Sequence, residues 1–307
     1  MSSTDSPHYR IEELGEGIHA AIARPTGFAI CNSGVADLGG GGLVFDSGMT
    51  PDSARDLNHQ ATRLLGRPPS LAVTSHRHLD HILGNSEFAQ IPIWGTRRTR
   101  EILLETTDQL LAEVRREQLE KDVAELEGHR GEMRTEAARE DLEFILQINR
   151  AALACAGRLK VVPPDHTFET KMTLPGARAA ELVSLGSGHT EADAFLFLPR
   201  EKVLFAGDLV VVGVQPSMGN GDPDHWVEEL DQIERMAPER VVPGHGPVTT
   251  TDGIRETRAY LSGVLEAARA SRGAPLPAAL RRWEGSLSLE SNLAFARGWV
   301  EAHRTRS

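Results

Sequence analysis

Cysteine is almost absent from this sequence. Cys31 and Cys155 are the only two, so no disulfide framework is available, and the pair suits a reducing compartment. Tyrosine is equally scarce, with only Tyr9 and Tyr260. Basic residues are outnumbered, 33 Lys and Arg against 44 Asp and Glu, for a net charge of −11, and no Lys/Arg-rich block stands out. That argues against nucleic acid and anionic membrane as partners. It does not exclude an anionic substrate, because a bound metal can carry the local positive charge. No apolar run approaches a membrane span. The opening Met1-Ser-Ser-Thr-Asp-Ser-Pro lacks the apolar core of a secretory signal, so the expected compartment is cytoplasmic. Gly39 to Gly42 are four consecutive glycines, but no lysine follows and a strand stands where a helix should, so they are not a phosphate loop.

What is present is concentrated in Thr74-Ser-His-Arg-His-Leu-Asp-His81. His76, His78, Asp80 and His81 crowd a turn at the end of an apolar run, Leu71 to Thr74, that reads as a buried strand. Imidazole and carboxylate donors without thiolate suit zinc, manganese or iron. In an extended chain His76 and His78 share one side, and Asp80 and His81 swing to the other as the chain turns. The stretch therefore starts two adjacent metal sites.

Around it the text is α/β. Residues 1 to 7 read as a loose tail. Strands are expected at Ile18–Ile22, Phe28–Cys31, Leu43–Phe45 and Ile91–Trp94, with a turn at Asn32–Gly34 and a helix from Pro51 to Leu65. Residues 98–158 contain no proline and carry two apolar stripes broken at Gly128 and Gly131. They read as an inserted helical hairpin, a lid or a dimerisation surface, each arm running to roughly 40 Å. Strands resume at Glu181–Leu185, Ala194–Leu198, Lys202–Phe205 and Arg240–Val242, with a helix at Asp224–Met236. The chain is helical after Thr251 apart from a break at Gly273–Pro277. The expected domain is one unit over 8–307, with the 98–158 insertion and a C-terminal helical extension at 253–307. Trp283 and Trp299 are expected in the core. Trp94, Asn85 and Ser217–Asn220 read as loop or core before they read as cleft.

Three strands of the second half lead into ligand-type residues: His189 in Gly-Ser-Gly-His-Thr, Asp208 in Phe-Ala-Gly-Asp, and His245 in Pro-Gly-His-Gly-Pro. Small neighbours let the backbone approach a crowded centre. Together with His-Arg-His-Leu-Asp-His at 76–81, these pieces resemble the metallo-β-lactamase-fold hydrolase superfamily, across about residues 9 to 252. The resemblance implies an αββα sandwich with the metals at one edge between the sheets. It implies His76, His78 and His189 on a first metal, and Asp80, His81 and His245 on a second. Asp208 would bridge them, and Asp46 would steady the ligand loop from behind.

Two divalent cations, Zn2+ for preference with Mn2+ or Fe2+ as alternatives, polarise a substrate oxygen and lower the pKa of bound water to near 7. The expected activity is hydrolysis of an ester, thioester, lactone or amide carbonyl of a small molecule by a metal-bound hydroxide, with Asp80 orienting it and relaying a proton. Asp208 resembles the bridging carboxylate of the glyoxalase II and lactonase branches. The true β-lactamases of this fold lack it, which weighs against antibiotic hydrolysis as the native task. The alternatives are a mononuclear iron oxygenase like the persulfide dioxygenases of the same fold, and a non-catalytic scaffold using the helical hairpin.

Overall fold

A computed structural model describes residues 6–271 and 273–304. Side-chain alternation explains its layers. In Asp193–Leu198, Ala194, Leu196 and Leu198 belong to one buried cluster while Phe195 and Phe197 belong to another, the period of two expected of a strand covered on both faces.

The first sheet runs in the order β1 (Tyr9–Gly15), β2 (Ile18–Ala23), β3 (Ser33–Asp37), β4 (Gly42–Phe45), β5 (Leu71–Val73), β6 (Ile93–Thr96), β7 (His166–Phe168). Its first three pairings are antiparallel and its last three parallel. The second sheet holds β8 (Lys171–Thr173), β9 (Glu181–Gly186), β10 (Asp193–Leu198), β11 (Val203–Val211) and β12 (Arg240–His245), with only the β11–β12 pair parallel. Leu43, Phe45, Leu71 and Val73 of the first sheet meet Leu182, Leu196, Phe205 and Val242 of the second in one core.

The outer face of the first sheet is covered by α1 (Pro51–Leu65). Thr50 caps it by accepting from the Ser53 amide, Pro51 supplies a preset first turn, and Gly66 ends it at φ 68°. Leu57 on its inner face is fully buried, so Leu57→Ala is worth about 2–5 kcal/mol. Then follow α2 (Leu79–Ile82), α3 (Arg97–Glu113), α4 (Arg116–Gly128) and α5 (Glu136–Ala154). The outer face of the second sheet is covered by α6 (Pro223–Arg235), α7 (Thr251–Arg269) and α8 (Leu287–Arg304), with Trp226, Leu230, Leu261 and Trp283 in the contact. The result is an αββα sandwich. Among the described residues no helix is long and apolar enough to cross a membrane.

Several expectations are corrected. Phe28–Cys31 is not a strand. Ile30 sits at φ 68°, a left-handed conformation that no strand tolerates, and β3 begins at Ser33, inside the expected turn. Strand β6 begins two residues later than expected. Residues 98–158 hold three helices instead of a two-armed hairpin. The first arm ends at Glu113 and restarts at Arg116, leaving helices of 17, 13 and 19 residues, about 26, 20 and 29 Å long. Of the expected tail, residues 1–5 lie outside the described residues, and Ser6 is docked: it is buried, donates to Asp56 and accepts from the Tyr9 amide. Trp299 is only half-buried and donates to Asp224 from the surface of α8.

Candidate metal centre

Strand β5 delivers its loop to the edge between the sheets. His76 stands in a bend just past it, His78 is extended as the cap of α2, and Asp80 and His81 follow in the single turn of that helix. From the second sheet, His189 comes from the β9–β10 loop, Asp208 from within β11 rather than past its end, and His245 from the last residue of β12. All seven converge in two groups, His76, His78, His189 and Asp208, and Asp80, His81 and His245, with the donor atoms of each group within 4.8 Å of one another.

Asp208 faces both groups with separate oxygens. Its Oδ2 lies 3.9 Å from His76 Nε2 and 3.4 Å from His189 Nε2. Its Oδ1 lies 3.1 Å from His81 Nε2 and 3.4 Å from His245 Nε2. Asp80 Oδ2 completes the second group, 3.3 Å from His245 Nε2 and 3.5 Å from His81 Nε2. Asp208 gets this close because Gly244 stands opposite; a Cβ there would lie 1.8 Å from Asp208 Oδ1.

Each ring turns its other nitrogen outward to a fixed partner. His76 Nδ1 meets Ser75 Oγ at 2.9 Å, and His81 Nδ1 meets Asp46 Oδ2 at 2.8 Å. His189 Nδ1 meets the Ser217 carbonyl at 2.9 Å and His245 Nδ1 the Ile30 carbonyl at 3.3 Å. His78 is reversed: its Nε2 meets Asn220 Oδ1 at 2.8 Å, which leaves Nδ1 facing inward, 2.9 Å from His189 Nε2. Such outer contacts set which nitrogen is free to bind. Asp46 also accepts from the Ser75 amide and hydroxyl, at 2.7 and 2.8 Å, so one carboxylate holds both ends of the ligand loop. Asp46 and Ile30 are two of the four non-glycine residues at positive φ among the described residues, and both hold a ring of the cluster.

Burial, then the neighbouring rings, pushes His76 well below its ordinary value; burial likewise lowers His78 and takes His189 to about 3. These rings stand neutral, with a lone pair inward. Burial also opposes charge on His81 and His245 but is outweighed, at His81 by Cys31, then Asp208, Asp80 and Asp46, and at His245 by Asp208 and Asp80. His81 is raised well above its ordinary value and His245 to about 10. The same pairing overcomes the burial of Asp80 and Asp208, bringing Asp80 to about 2 and Asp208 well below the usual range.

The sequence profile of the metallo-beta-lactamase superfamily matches residues 26–245. The chain belongs to that superfamily. Its solved relatives include the metallo-beta-lactamase from Pontibacter korlensis, with 19% identity and TM-score 0.58 over 83% of this chain and 99% of that one. Another is FIM-1 from Pseudomonas aeruginosa in its mono-zinc form, with 15% identity and TM-score 0.57 over 83% and 95%. At these identities the likeness speaks for the fold. A type 2 metallo-beta-lactamase of Bacteroides fragilis is 29% identical over 109 residues, 34% of this chain and 44% of that protein, so the match spans less than half of the relative. Members of the superfamily are largely hydrolases, and this fold with these donors implies divalent-metal binding.

The donors present fit such an ion. His76 Nε2 is buried at the centre with no hydrogen-bond partner among the described residues, and His81 Nε2 and Asp208 Oδ1 face each other at 3.1 Å without hydrogen-bond geometry. Each unsatisfied buried group costs about 1–3 kcal/mol, and a cation between them removes that cost.

Of the outer partners, sequence reasoning reaches Asp46 and misses Ser75, Asn220, Ser217 and Ile30. Ile30 and Ser217 act through backbone carbonyls, which no residue type reveals. Asn220 reads as loop from its sequence, yet it holds His78. Cys31 is a buried free thiol, raised to about 12 by burial, and it donates to the Asp80 carbonyl at 3.0 Å. Asn32 bonds the carbonyls of Pro243 and Gly246 on either side of His245, at 2.9 and 2.8 Å. Asn85 and Trp94 stay away from the centre: Asn85 is buried against Thr74, Val162 and Ser47, and Trp94 packs on His166.

Proposed function

We propose that the protein is a dinuclear-metal hydrolase, with zinc as the favoured ion, acting on an ester, thioester, lactone or amide carbonyl. The observation that carries this reading is Asp208, which turns one oxygen to each of two histidine groups. His76, His78 and His189 would hold one ion, Asp80, His81 and His245 the other, and Asp208 would span both.

Bound there, two divalent ions supply Lewis acidity toward a carbonyl oxygen and make water acidic enough to attack at neutral pH. The chain's own part is positional. Ser75, Asn220, Asp46, Ser217 and Ile30 fix the five rings, so little reorganisation accompanies the reaction. Asp80 is the more accessible of the two carboxylates, 15% exposed against 9% for Asp208, so it reaches both the centre and an incoming molecule. It takes the proton of the attacking water as the new C–O bond forms. It returns that proton to the oxygen, sulfur or nitrogen whose bond to the carbonyl carbon breaks.

The test is elemental analysis of the purified protein, followed by a metal-loaded screen over lactones, thioesters, simple esters and β-lactams, with His78→Ala as the blank. Two ions per chain and hydrolysis absent from the blank are expected. One iron per chain with oxygen consumption would replace this reading by the oxygenase one.

A further inference from the structure

Two cavities of opposite character flank the centre. The smaller, about 440 Å³, is lined by the cluster residues His78 and Asp80, by Asn220, and by Thr106, Gln109 and Glu113 of α3. The larger, about 980 Å³, reaches His245; Phe28, Ile30, Phe144, Val214 and Pro247 form its apolar part, and Arg10, Arg24, Glu140, Glu143 and Arg150 also line it. Both are of the size of small-molecule sites. Phe28 stands at the lip of the larger cavity and is 37% exposed, one of two large apolar side chains so exposed among the described residues. Phe144 of α5 packs edge-on to His245, ring centres 5.4 Å apart.

The walls of the larger cavity are tied together. Gln147 of α5 donates to the Gly27 carbonyl at 3.3 Å, joining the helix to the segment that carries Phe28. Asp141 of α5 accepts from the Ser288 hydroxyl at 2.6 Å and amide at 3.0 Å, anchoring that helix to α8. The inserted segment thus presents Phe144 of α5 beside His245, and Thr106, Gln109 and Glu113 of α3, together with Ile102 and Leu110, beside His78 and Asp80.

Resting on the hydrolase reading, we infer that the substrate is an ester or thioester with a medium-length apolar acyl chain, the chain lying in the Phe28–Phe144 cavity and a small polar leaving group in the α3 cavity. The direction follows from proton transfer. The departing atom takes its proton from Asp80, and Asp80 lines the α3 cavity but not the larger one. Water adds to the carbonyl carbon, the bond to the leaving group breaks, and a carboxylic acid and an alcohol or thiol result.

Ethyl acetate through ethyl octanoate, followed by acid release on the zinc-loaded protein, should show kcat/KM rising about fourfold per added methylene. Ethyl octanoate and octyl acetate are isomers of matched hydrophobicity, and the octanoate should be favoured about tenfold. Phe28→Ala should cut the octanoate-to-acetate ratio about tenfold. Octanamide titrated calorimetrically into the protein should bind and acetamide should not, with Phe28→Ala weakening octanamide about tenfold. Equal rates across the series, preference for octyl acetate, or no octanamide binding overturns the acyl assignment and leaves the hydrolase reading standing. If no ester, thioester, lactone or amide is hydrolysed, the hydrolase reading falls, and octanamide binding alone decides what the cavity holds.

Discussion

The two halves of the cluster hold the same side chain in opposite states. His76, His78 and His189 face one carboxylate oxygen, Asp208 Oδ2, and burial leaves them neutral. His81 and His245 face Asp208 Oδ1 and Asp80 together, and keep their protons. Local carboxylate count, more than burial, decides whether a buried imidazole is charged. The first half offers a cation three free lone pairs. The second holds protons that a cation must displace, so the first half is expected to fill first.

The largest effect should come from the residue common to both halves. Asp208→Asn keeps the shape but weakens both contacts, and should lower kcat/KM by about 10³-fold or more and leave fewer than one ion per chain. Two ions retained at full occupancy would show that the halves do not depend on a shared carboxylate. His78→Ala and His245→Ala then separate them. Each should retain one ion, in opposite halves, with activity below about 1% of the parent. If either variant loses both ions, the halves fill as one cooperative unit and the comparison fails.

Much of this site was legible before any coordinates, and the reason is chemical. His76 to His81 announces itself by residue type and spacing, and His189, Asp208 and His245 each follow an apolar run beside glycine. What fixes those rings was hidden. Phe28–Cys31 reads as a strand because it is apolar, yet Ile30 is turned left-handed and its carbonyl meets His245. That tertiary demand overrides local β-preference. Strands β7 and β8 have three residues each, too short for a periodicity to register. The restart between α3 and α4 at Val114 and Arg115 involves neither glycine nor proline, so nothing in the residue types breaks the first apolar stripe there.

Asp46→Asn sharpens the comparison at a smaller scale. Asp46 touches His81 but none of the three neutral rings directly. The substitution should weaken one ion about 10–100-fold and spare the other, read by competition with a chromophoric chelator. Equal weakening of both would mean that Asp46 acts through Ser75, whose hydroxyl also meets His76.

The smallest effect is the pH dependence of the metal-free protein. His245 is raised from 6.5 to about 10, and His81 well above 6.5, so between pH 6.5 and 10 the folded state binds more protons than the unfolded one. Their contribution is complete below pH 6.5 and is lost as pH rises through that window. His189 is lowered from 6.5 to about 3, with His76 and His78 also lowered, so between pH 6.5 and 3 the unfolded state binds more protons and stability is lost as pH falls. Asp80, lowered from 3.8 to about 2, loses its contribution only below pH 3.8. Tm in chelator should therefore peak near pH 6.5 and drop by roughly 5 °C toward pH 9. Zinc should remove the part of the alkaline drop that His81 and His245 cause, because the cation replaces their protons, and should leave the part from Glu229, whose carboxyl burial raises to about 9. Calorimetric titration in two buffers of different ionisation enthalpy should then show the second equivalent of zinc releasing roughly one to two more protons than the first. Equal release at both steps would mean that the two halves are protonated alike.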